Sequence, residues 1–247
     1  MRLLLLPHLL SVPLVLGSAR AMASREIIPT RGIIFDLDGT LTQAGAIDFA
    51  AMYRRIGLSR RAGTDLLAQV ELMSDPLQRA RAHEIIVEEE LIGVKKMKLR
   101  EDLYDALERV HNSSIRNVAI STRNCHYALN AFLETVYNSD RCRLRFHPTL
   151  HRDTLEGRIN KPDPRVANHI LEQWRADSDP SAEGSDIRCE EVWFVGDSED
   201  DVQCGKSAGM MTCLVRTEYN IGLAARRPGL VDLEVSSLTD FVDRVLR

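Results

Sequence analysis

The chain has 247 residues, of which 44% are hydrophobic and 28% are charged. These proportions are typical of a folded globular protein and exclude a disordered or fibrous one. The length suits one domain with an inserted subdomain, since domains centre on roughly 100–150 residues. The formal net charge of -4 argues against a nucleic-acid-binding protein, because such proteins carry an excess of Lys and Arg that neutralises phosphates.

The first 23 residues are predicted to be a cleaved leader. An apolar run from Leu3 to Gly17 is interrupted by two prolines and is shorter than the ~20 residues that span a bilayer, so no stable membrane anchor is expected. Small residues follow with an Ala-x-Ala pattern that fits a secretory signal peptide, whereas arginines unopposed by acids fit an organelle transit peptide. Synthesis of a cytoplasmic form from Met22 is a third alternative. The five cysteines lack a CxxC pair and indicate reduced thiols, which favours an intracellular compartment such as a plastid or mitochondrion.

Strand and helix patterns alternate along most of the chain. Short apolar runs predict strands at Arg31–Phe35, Asn117–Ile120, Arg143–Phe146, Glu191–Val195 and Met211–Val215. Helical periodicity predicts helices at Leu99–Val110, Ala128–Val136, Pro164–Trp174 and Ser237–Leu246. Alternation of this kind predicts an α/β fold, with a Rossmann-like parallel sheet covered by helices on both faces.

Residues 44–98 form a block without any strand pattern. Helices are predicted near Phe49–Ile56, Thr64–Met73 and Pro76–Leu91. The sequence therefore predicts an inserted all-helical cap at 44–98, and an α/β core formed by residues 24–43 and 99–247. Because the block begins just after the first polar cluster of the chain, we expect it to cover that cluster as a lid.

Polar clusters directly follow three of the predicted strands. Asp36-Leu-Asp38 follows the first strand, Ser121-Thr-Arg-Asn124 follows the second, and Gly196-Asp197 follows the strand at Glu191–Val195. In open parallel sheets, ligands bind beyond the carboxyl ends of the strands. We therefore expect one crevice to collect all three clusters.

The first cluster offers the groups that phosphoryl transfer needs, namely a nucleophile and an acid for the leaving group. Asp36 and Asp38 are two positions apart at a strand end and can point the same way, so this pair can supply both groups. Magnesium prefers oxygen ligands, and Asp36, the backbone carbonyl of Asp38 and Asp197 would supply them. The pattern Asp-x-Asp-Gly also fits an ordinary turn, which is the alternative interpretation.

Backbone and hydroxyl groups at the same two strand ends are candidates for binding a phosphate. Gly39 lets the backbone bend closely around a phosphate. Thr122 offers a hydroxyl and the amide that follows it, with Ser121 as the alternative ligand. A Ser or Thr at a strand end is also a common helix cap. The predicted substrate-binding residues at these turns are Gly39, Thr40, Thr122, Arg123 and Asn124.

Lys161 is a third candidate catalytic residue and a further phosphate ligand. It lies in Asn-Lys-Pro-Asp-Pro, where two prolines stiffen the loop and hold the ammonium in place. A positioned cation there can bind the phosphate and stabilise the charge of the nucleophile. Asp201, four residues after Asp197, can orient Lys161 or a metal-bound water without contacting the substrate itself.

Four motifs, taken in chain order, resemble those of the haloacid dehalogenase superfamily of hydrolases. They are Phe35-Asp-Leu-Asp-Gly-Thr-Leu41, Val118-Ala-Ile-Ser-Thr122, Lys161-Pro-Asp-Pro164 and Val195-Gly-Asp-Ser-Glu-Asp-Asp201. The resemblance implies an aspartyl-phosphate intermediate on Asp36 and acid and base chemistry by Asp38. It also implies phosphate contacts from Thr122 and Lys161, and magnesium bound at Asp36, Asp38 and Asp197. The insert between the first two motifs resembles the helical cap of the phosphoglycolate-phosphatase-like branch.

The sequence therefore predicts a magnesium-dependent phosphatase that hydrolyses a small phosphorylated metabolite. A phosphomutase or phosphotransferase of the same fold would keep the same residues and differ by excluding water from the intermediate. A non-catalytic binding module would be expected to have lost at least one motif, and a dehalogenase would need neither Asp38 nor magnesium. The sequence determines neither the substrate nor the oligomeric state.

Overall fold

The computed structural model describes residues 28–60, 65–178 and 186–246. The predicted leader at 1–23 and most of the polar segment 177–186 lie outside the described residues. The described residues form a six-stranded sheet whose neighbouring strands are all parallel. The strands are β1 (Gly32–Phe35), β2 (Asn117–Ser121), β3 (Thr149–Leu150), β4 (Val192–Gly196), β5 (Met211–Val215) and β6 (Leu233–Val235). Their order across the sheet is β3-β2-β1-β4-β5-β6.

Nine α-helices connect or follow these strands in the described part of the chain. They are α1 (Phe49–Ile56), α2 (Leu66–Glu71), α3 (Pro76–Lys96), α4 (Leu103–Asn112), α5 (His126–Tyr137), α6 (Arg165–Asp177), α7 (Glu199–Ser207), α8 (Leu223–Arg226) and α9 (Leu238–Val245). No helix among the described residues combines the length and apolar character needed to cross a membrane.

β1 lies inside the sheet and is buried on both faces. Ile33 and Phe35 belong to the apolar cluster formed with α4, α5 and α9, whereas Ile34 belongs to the cluster formed with α6 and α7. Phe35 pairs with Ile120 of β2 on one side and with Val195 of β4 on the other. The residues that follow β1, β2 and β4 therefore lie at one edge of the sheet. The predicted α/β fold with helices on both faces is confirmed.

The helices α1 to α3, within what we call the helical insert (residues 44–98), share an apolar cluster of their own. Its buried members come from all three helices and are Met52, Leu66, Val70, Ala82 and Ile86. The insert begins and ends at neighbouring positions, because Thr42 and Leu99 form an antiparallel bridge. α3 continues to Lys96, five residues beyond the predicted end of this helix. The division of the chain into a cap at 44–98 and a core stays a prediction.

Aspartates define where the helices of the insert begin. The side chain of Asp48 accepts a hydrogen bond from Ala51 N, which starts α1, and Asp75 does the same for Leu77 N at the start of α3. Pro76 occupies the first turn of α3, where its missing N–H costs no helical hydrogen bond. Each start signal is therefore local to the sequence, which is why the helices of the insert are predictable.

One predicted strand is absent, and two observed strands, β3 and β6, were not predicted. Residues 143–146 do not form a strand, although Leu144 and Phe146 are buried as the alternating pattern requires. The reason is that Phe146 N–H donates to the hydroxyl of Tyr137 on α5 at 3.0 Å, so it is not available to β2. Hydrogen bonding to β2 starts at His147, whose N–H donates to Val118 O at 2.7 Å, and the strand that follows, β3, has only two residues. β3 and the three-residue β6 are too short to show a periodic pattern.

The close approach of α7 to the sheet predicts a stability effect at Gly205. A Cβ atom added there would lie 2.5 Å from Phe194 Cβ and 3.0 Å from Thr212 Cγ2. We expect Gly205→Ala to lower the free energy of unfolding by about 1–3 kcal/mol, because added volume in a packed core forces atoms apart. Urea unfolding followed by circular dichroism measures the change.

Ser207→Ala is the matched control, since Ser207 is exposed on the same helix. We expect this control to shift the free energy of unfolding by less than about 0.5 kcal/mol. Equal effects of the two substitutions would contradict the close packing at Gly205.

Candidate active site

Three carboxylates that are far apart in the sequence meet at the edge of the sheet. Asp36 follows β1, Asp197 follows β4, and Asp201 lies in the first turn of α7. One carboxylate oxygen from each residue lies within 4.8 Å of the other two. Side chains from the first and last motifs therefore lie together at this edge of the sheet.

Lys161 connects two of these carboxylates. Its ammonium lies 2.5 Å from Asp36 Oδ1 and 2.7 Å from Asp201 Oδ1, and it donates to the backbone oxygen of Ser121 at 2.8 Å. Lys161 is only 4% exposed. Burial alone would lower the pKa of Lys161, but the charges of Asp201 and Asp36 raise it above its ordinary value. The lysine is thus a permanent cation in contact with the predicted nucleophile.

Asp201 is held by the start of α7 as well as by Lys161. Its Oδ2 accepts hydrogen bonds from Ser198 N at 2.9 Å and from Ser198 Oγ at 2.6 Å. Burial would raise the pKa of Asp201, but Lys161 and the Ser198 donors hold it below its ordinary value. Asp201 is therefore placed where it can orient Lys161, and this role stays a prediction.

Asp38 lies beside the carboxylate cluster and faces a different partner. The side-chain amide of Asn124 donates to Asp38 Oδ2, which joins the first motif to the loop after β2. Burial raises the pKa of Asp38 to about 6. An acid of this kind keeps its proton at higher pH than an ordinary aspartate, as proton donation to a leaving group requires. The predicted metal contact of Asp38 through its backbone carbonyl stays a prediction.

The donor set of the cluster fits a divalent cation. Burial raises the pKa of Asp197 to about 8, and the charge of Asp36 adds to the rise; burial likewise raises the pKa of Asp36 to about 7. Three carboxylates surround the one lysine whose charge balances them. Oxygen ligands of this type suit hard cations. Gly39 has a φ of +75°, and a Cβ there would lie 2.1 Å from Asp197 Oδ2. Only glycine leaves room for the cluster at this turn.

The predicted phosphate ligands lie around the same crevice. Thr122 is buried, and its hydroxyl oxygen accepts a hydrogen bond from Asn124 N at 3.2 Å, so its proton remains available for donation. Thr40 is also buried, and its hydroxyl oxygen has no hydrogen-bond partner among the described residues. The contacts of Gly39, Thr40, Thr122 and Asn124 with substrate stay predictions.

Arg123 is engaged by two carboxylates in the structure. Its Nη1 atom lies 2.5 Å from Asp65 Oδ2, at the start of α2, and 2.7 Å from Asp200 Oδ2, in the first turn of α7. Burial would lower the pKa of Arg123, but the charges of Asp200 and Asp65 raise it. Arg123 thus links the helical insert to the fourth motif, and its predicted contact with substrate stays a prediction.

The model of the haloacid dehalogenase-like hydrolase family matches residues 30–209. The chain belongs to this family. A haloacid dehalogenase-like hydrolase domain-containing protein of Arabidopsis thaliana is 36% identical over 195 residues, which cover 75% of this chain and 70% of that protein. An uncharacterized hydrolase of Saccharomyces cerevisiae is 28% identical over 215 residues, covering 87% of this chain and 90% of that protein.

The fold of this haloacid dehalogenase-like hydrolase is also shared with solved structures. The structure of a predicted phosphoglycolate phosphatase from Haemophilus somnus superimposes with a TM-score of 0.61 at 16% identity, covering 87% of this chain and 97% of that chain. This likeness shows a common fold. The family resemblance carried by the four sequence motifs is confirmed.

Several residues that shape the site of this hydrolase were missed in the sequence. Asn220, five residues after β5, donates to the backbone oxygens of Asp197 at 2.7 Å and Val215 at 2.8 Å. A polar residue soon after a strand end was the available signal for Asn220. Glu90 and Arg152 form a buried ion pair beside the loop after β2. Glu90 ends a run of three glutamates on a helix, which looks like a solvated face, so no signal marked it.

The carboxylate cluster predicts how the metal-free protein responds to Asp197→Asn. We expect the melting temperature to rise by at least ~2 °C, because the substitution removes one partly buried carboxylate from a group of like charges. We also expect the stabilisation that millimolar magnesium gives the wild type to be lost, since a ligand stabilises only by binding the folded state. Thermal unfolding with chelator and with magnesium measures both effects.

Asp140→Asn serves as the control because Asp140 is an exposed aspartate. This variant should melt like the wild type in both buffers. If Asp197→Asn kept the full response to magnesium, the cluster would not be the cation site.

Proposed function

We propose that this protein is a magnesium-dependent phosphatase that hydrolyses a small phosphate monoester through an aspartyl-phosphate on Asp36. The observation that carries the proposal is the contact of Lys161 with Asp36 Oδ1 at 2.5 Å, inside a cluster that also contains Asp197 and Asp201. Membership of the haloacid dehalogenase-like hydrolase family supports a hydrolytic reaction.

Asp36 is the proposed nucleophile. Lys161 binds Oδ1, so Oδ2 is the oxygen left to attack phosphorus. The attack forms an Asp36 O–P bond while the P–O bond to the leaving alcohol breaks. Lys161 favours the ionised form of Asp36 and places positive charge next to the developing charge on the phosphoryl group.

Asp38 is the proposed acid and base. In the first step its carboxylic proton passes to the leaving oxygen, which departs as an alcohol. In the second step the Asp38 carboxylate takes a proton from a water that attacks the same phosphorus. The Asp36 O–P bond then breaks, which releases inorganic phosphate and restores both aspartates to their starting forms.

Magnesium, when bound, would be held by Asp36, Asp197 and the backbone carbonyl of Asp38, and would supply positive charge for the nonbridging phosphate oxygens. The phosphate itself would be held by donors of this chain. The proposed donors are Lys161, the hydroxyl and following amide of Thr122, and the turn at Gly39 and Thr40. Asp201 orients Lys161 and touches no substrate atom.

The helical insert is the proposed cap over this crevice. A cavity of about 10 Å³ lies between α3 and Asp38 and is lined by Ala46, Ile47, Gly93 and Asn124, among others. A space of this size holds about one water. A phosphate ester therefore enters when α3 moves away from the core, and closure of the insert limits the leaving group to a small one. We propose a small phosphorylated metabolite as the substrate.

Removal of the nucleophile tests the reaction type. We expect Asp36→Asn to lower turnover of every phosphate ester at least ~10³-fold, because no carboxylate is left to form the covalent intermediate. Release of inorganic phosphate from a panel of phosphorylated metabolites, with magnesium present, measures the effect.

Asp140→Asn should hydrolyse the same panel at the wild-type rate, and circular dichroism should show that both variants are folded. Turnover retained by Asp36→Asn would place the nucleophile elsewhere in the chain. Transfer of the phosphoryl group to a second substrate without release of phosphate would favour the phosphomutase alternative.

Removal of the acid should depend on the leaving group. We expect Asp38→Asn to lower the rate about 10²–10⁴-fold with an alkyl phosphate, whose alkoxide needs a proton to depart. With p-nitrophenyl phosphate the loss should be much smaller, since p-nitrophenolate departs without protonation. Burst-phase phosphorylation of the enzyme measures both rates. Equal losses with the two substrates would reject Asp38 as the leaving-group acid.

A further inference from the structure

Two buried charged residues from distant parts of the chain hold the loop that follows β2. Glu90 comes from α3 of the helical insert and is 3% exposed, while Arg152 follows β3 and is 5% exposed. They form an ion pair with each other through Glu90 Oε1 and Arg152 Nη1. Charged residues are rarely buried this deeply unless they are paired, so the pair marks a defined position of α3 on the core.

Both residues of the pair also bind the backbone of residues 123–125. Glu90 Oε2 accepts from Cys125 N at 3.2 Å, and the backbone N–H of Arg152 donates to the oxygen of Asn124 at 3.1 Å. Arg152 Nη1 donates to the oxygen of Arg123 at 3.4 Å. Two consecutive peptide units of the loop, 123–124 and 124–125, are thus held by these two residues.

The side chain that this loop presents to the active site is the amide of Asn124. This amide donates a hydrogen bond to Asp38 Oδ2. Among the described residues, no other side-chain hydrogen bond joins this loop to the predicted acid. The Asn124 amide therefore fixes the orientation of the Asp38 carboxyl group.

We propose that Glu90 and Arg152 are positioning residues, which hold Asn124 against Asp38 when α3 is docked on the core. The inference rests on the proposed phosphatase reaction and adds residues to it that neither touch the phosphate nor belong to the four motifs. Glu90 travels with α3, so its contacts with Cys125 and Arg152 exist only when the insert is closed. Closure of the insert then holds Asn124 against Asp38 and so positions the leaving-group acid.

A second ion pair between the insert and the core provides a matched control. Glu71 of α2 pairs with Arg158 at 2.5 Å, and both side chains are about half exposed. This pair joins the same two parts of the chain, but its hydrogen bonds do not involve residues 122–125. A substitution at Glu71 therefore removes one contact between the insert and the core and leaves the contacts of Glu90 and Arg152 with the loop in place.

The test compares Glu90→Met with Glu71→Met in the magnesium-loaded full-length protein. Methionine keeps the length of the side chain and removes both acceptors. For Glu90→Met we expect at least a ~10-fold loss of kcat with an alkyl phosphate and less than a ~3-fold loss with p-nitrophenyl phosphate, because a misplaced acid affects only the poor leaving group. For Glu71→Met we expect both kcat values to change by the same factor.

A second readout does not depend on turnover. The side-chain NH₂ signals of Asn124 in a ¹⁵N correlation spectrum, assigned by their loss in Asn124→Asp, report the contact with Asp38. These signals should shift in Glu90→Met and remain at the wild-type position in Glu71→Met. Unshifted signals together with equal losses on the two substrates would overturn the inference.

The design separates this inference from the proposed function. A wild type that hydrolyses no phosphate ester would contradict the phosphatase proposal, and the Asn124 signals would still decide whether Glu90 positions the loop. Glu90→Met could fail to fold because Arg152 is left as an unpaired buried charge. In that case the double variant Glu90→Met/Arg152→Met removes the charge, and its kcat values and Asn124 signals are measured in the same way.

Discussion

The structure depends on the balance between one buried ammonium and the carboxylates around it. Lys161 contacts Asp36 and Asp201, and Asp197 lies within reach of both acids. Buried charges are tolerated only when they are paired, and here the negative charges are in excess. Burial, together with the charge of Asp36, raises the pKa of Asp197, and the excess of carboxylates suits a further cation. The position of Asp197 also explains why residue 39 is a glycine, since any side chain at that turn would occupy the space beside Asp197.

The order of the strands brings these charged residues together. β1 lies between β2 and β4, so the residues that follow these three strands lie next to one another at the same edge of the sheet. The chain then leaves the sheet as the helical insert, and Thr42 and Leu99 bring it back beside its starting point. The insert is therefore joined to the sheet through two neighbouring positions.

Contacts between the insert and the core follow one charge pattern. The insert contributes the acids Asp65, Glu71 and Glu90, and the core contributes the partners Arg123, Arg158 and Arg152. These pairs differ in how deeply they are buried, and so they differ in what they contribute to the structure. The exposed pair at Glu71 adds little stability, because water and salt screen it. The buried pair at Glu90 holds the loop after β2, and this contact is the basis of the positioning role that we propose for it.

The sequence by itself determined the local features of this protein. The α/β alternation, the helical insert and the four motifs were readable because strand and helix periodicities and turn residues depend on near neighbours in the chain. The placement of Asp36 and Asp38 at one strand end follows from the same rule. Only the tertiary structure decided that residues 143–146 leave the sheet, since that choice depends on the hydroxyl of Tyr137. It also decided which of three consecutive glutamates is buried beside Arg152, because the partner of a charged side chain depends on how whole helices dock, and no short-range pattern encodes that geometry.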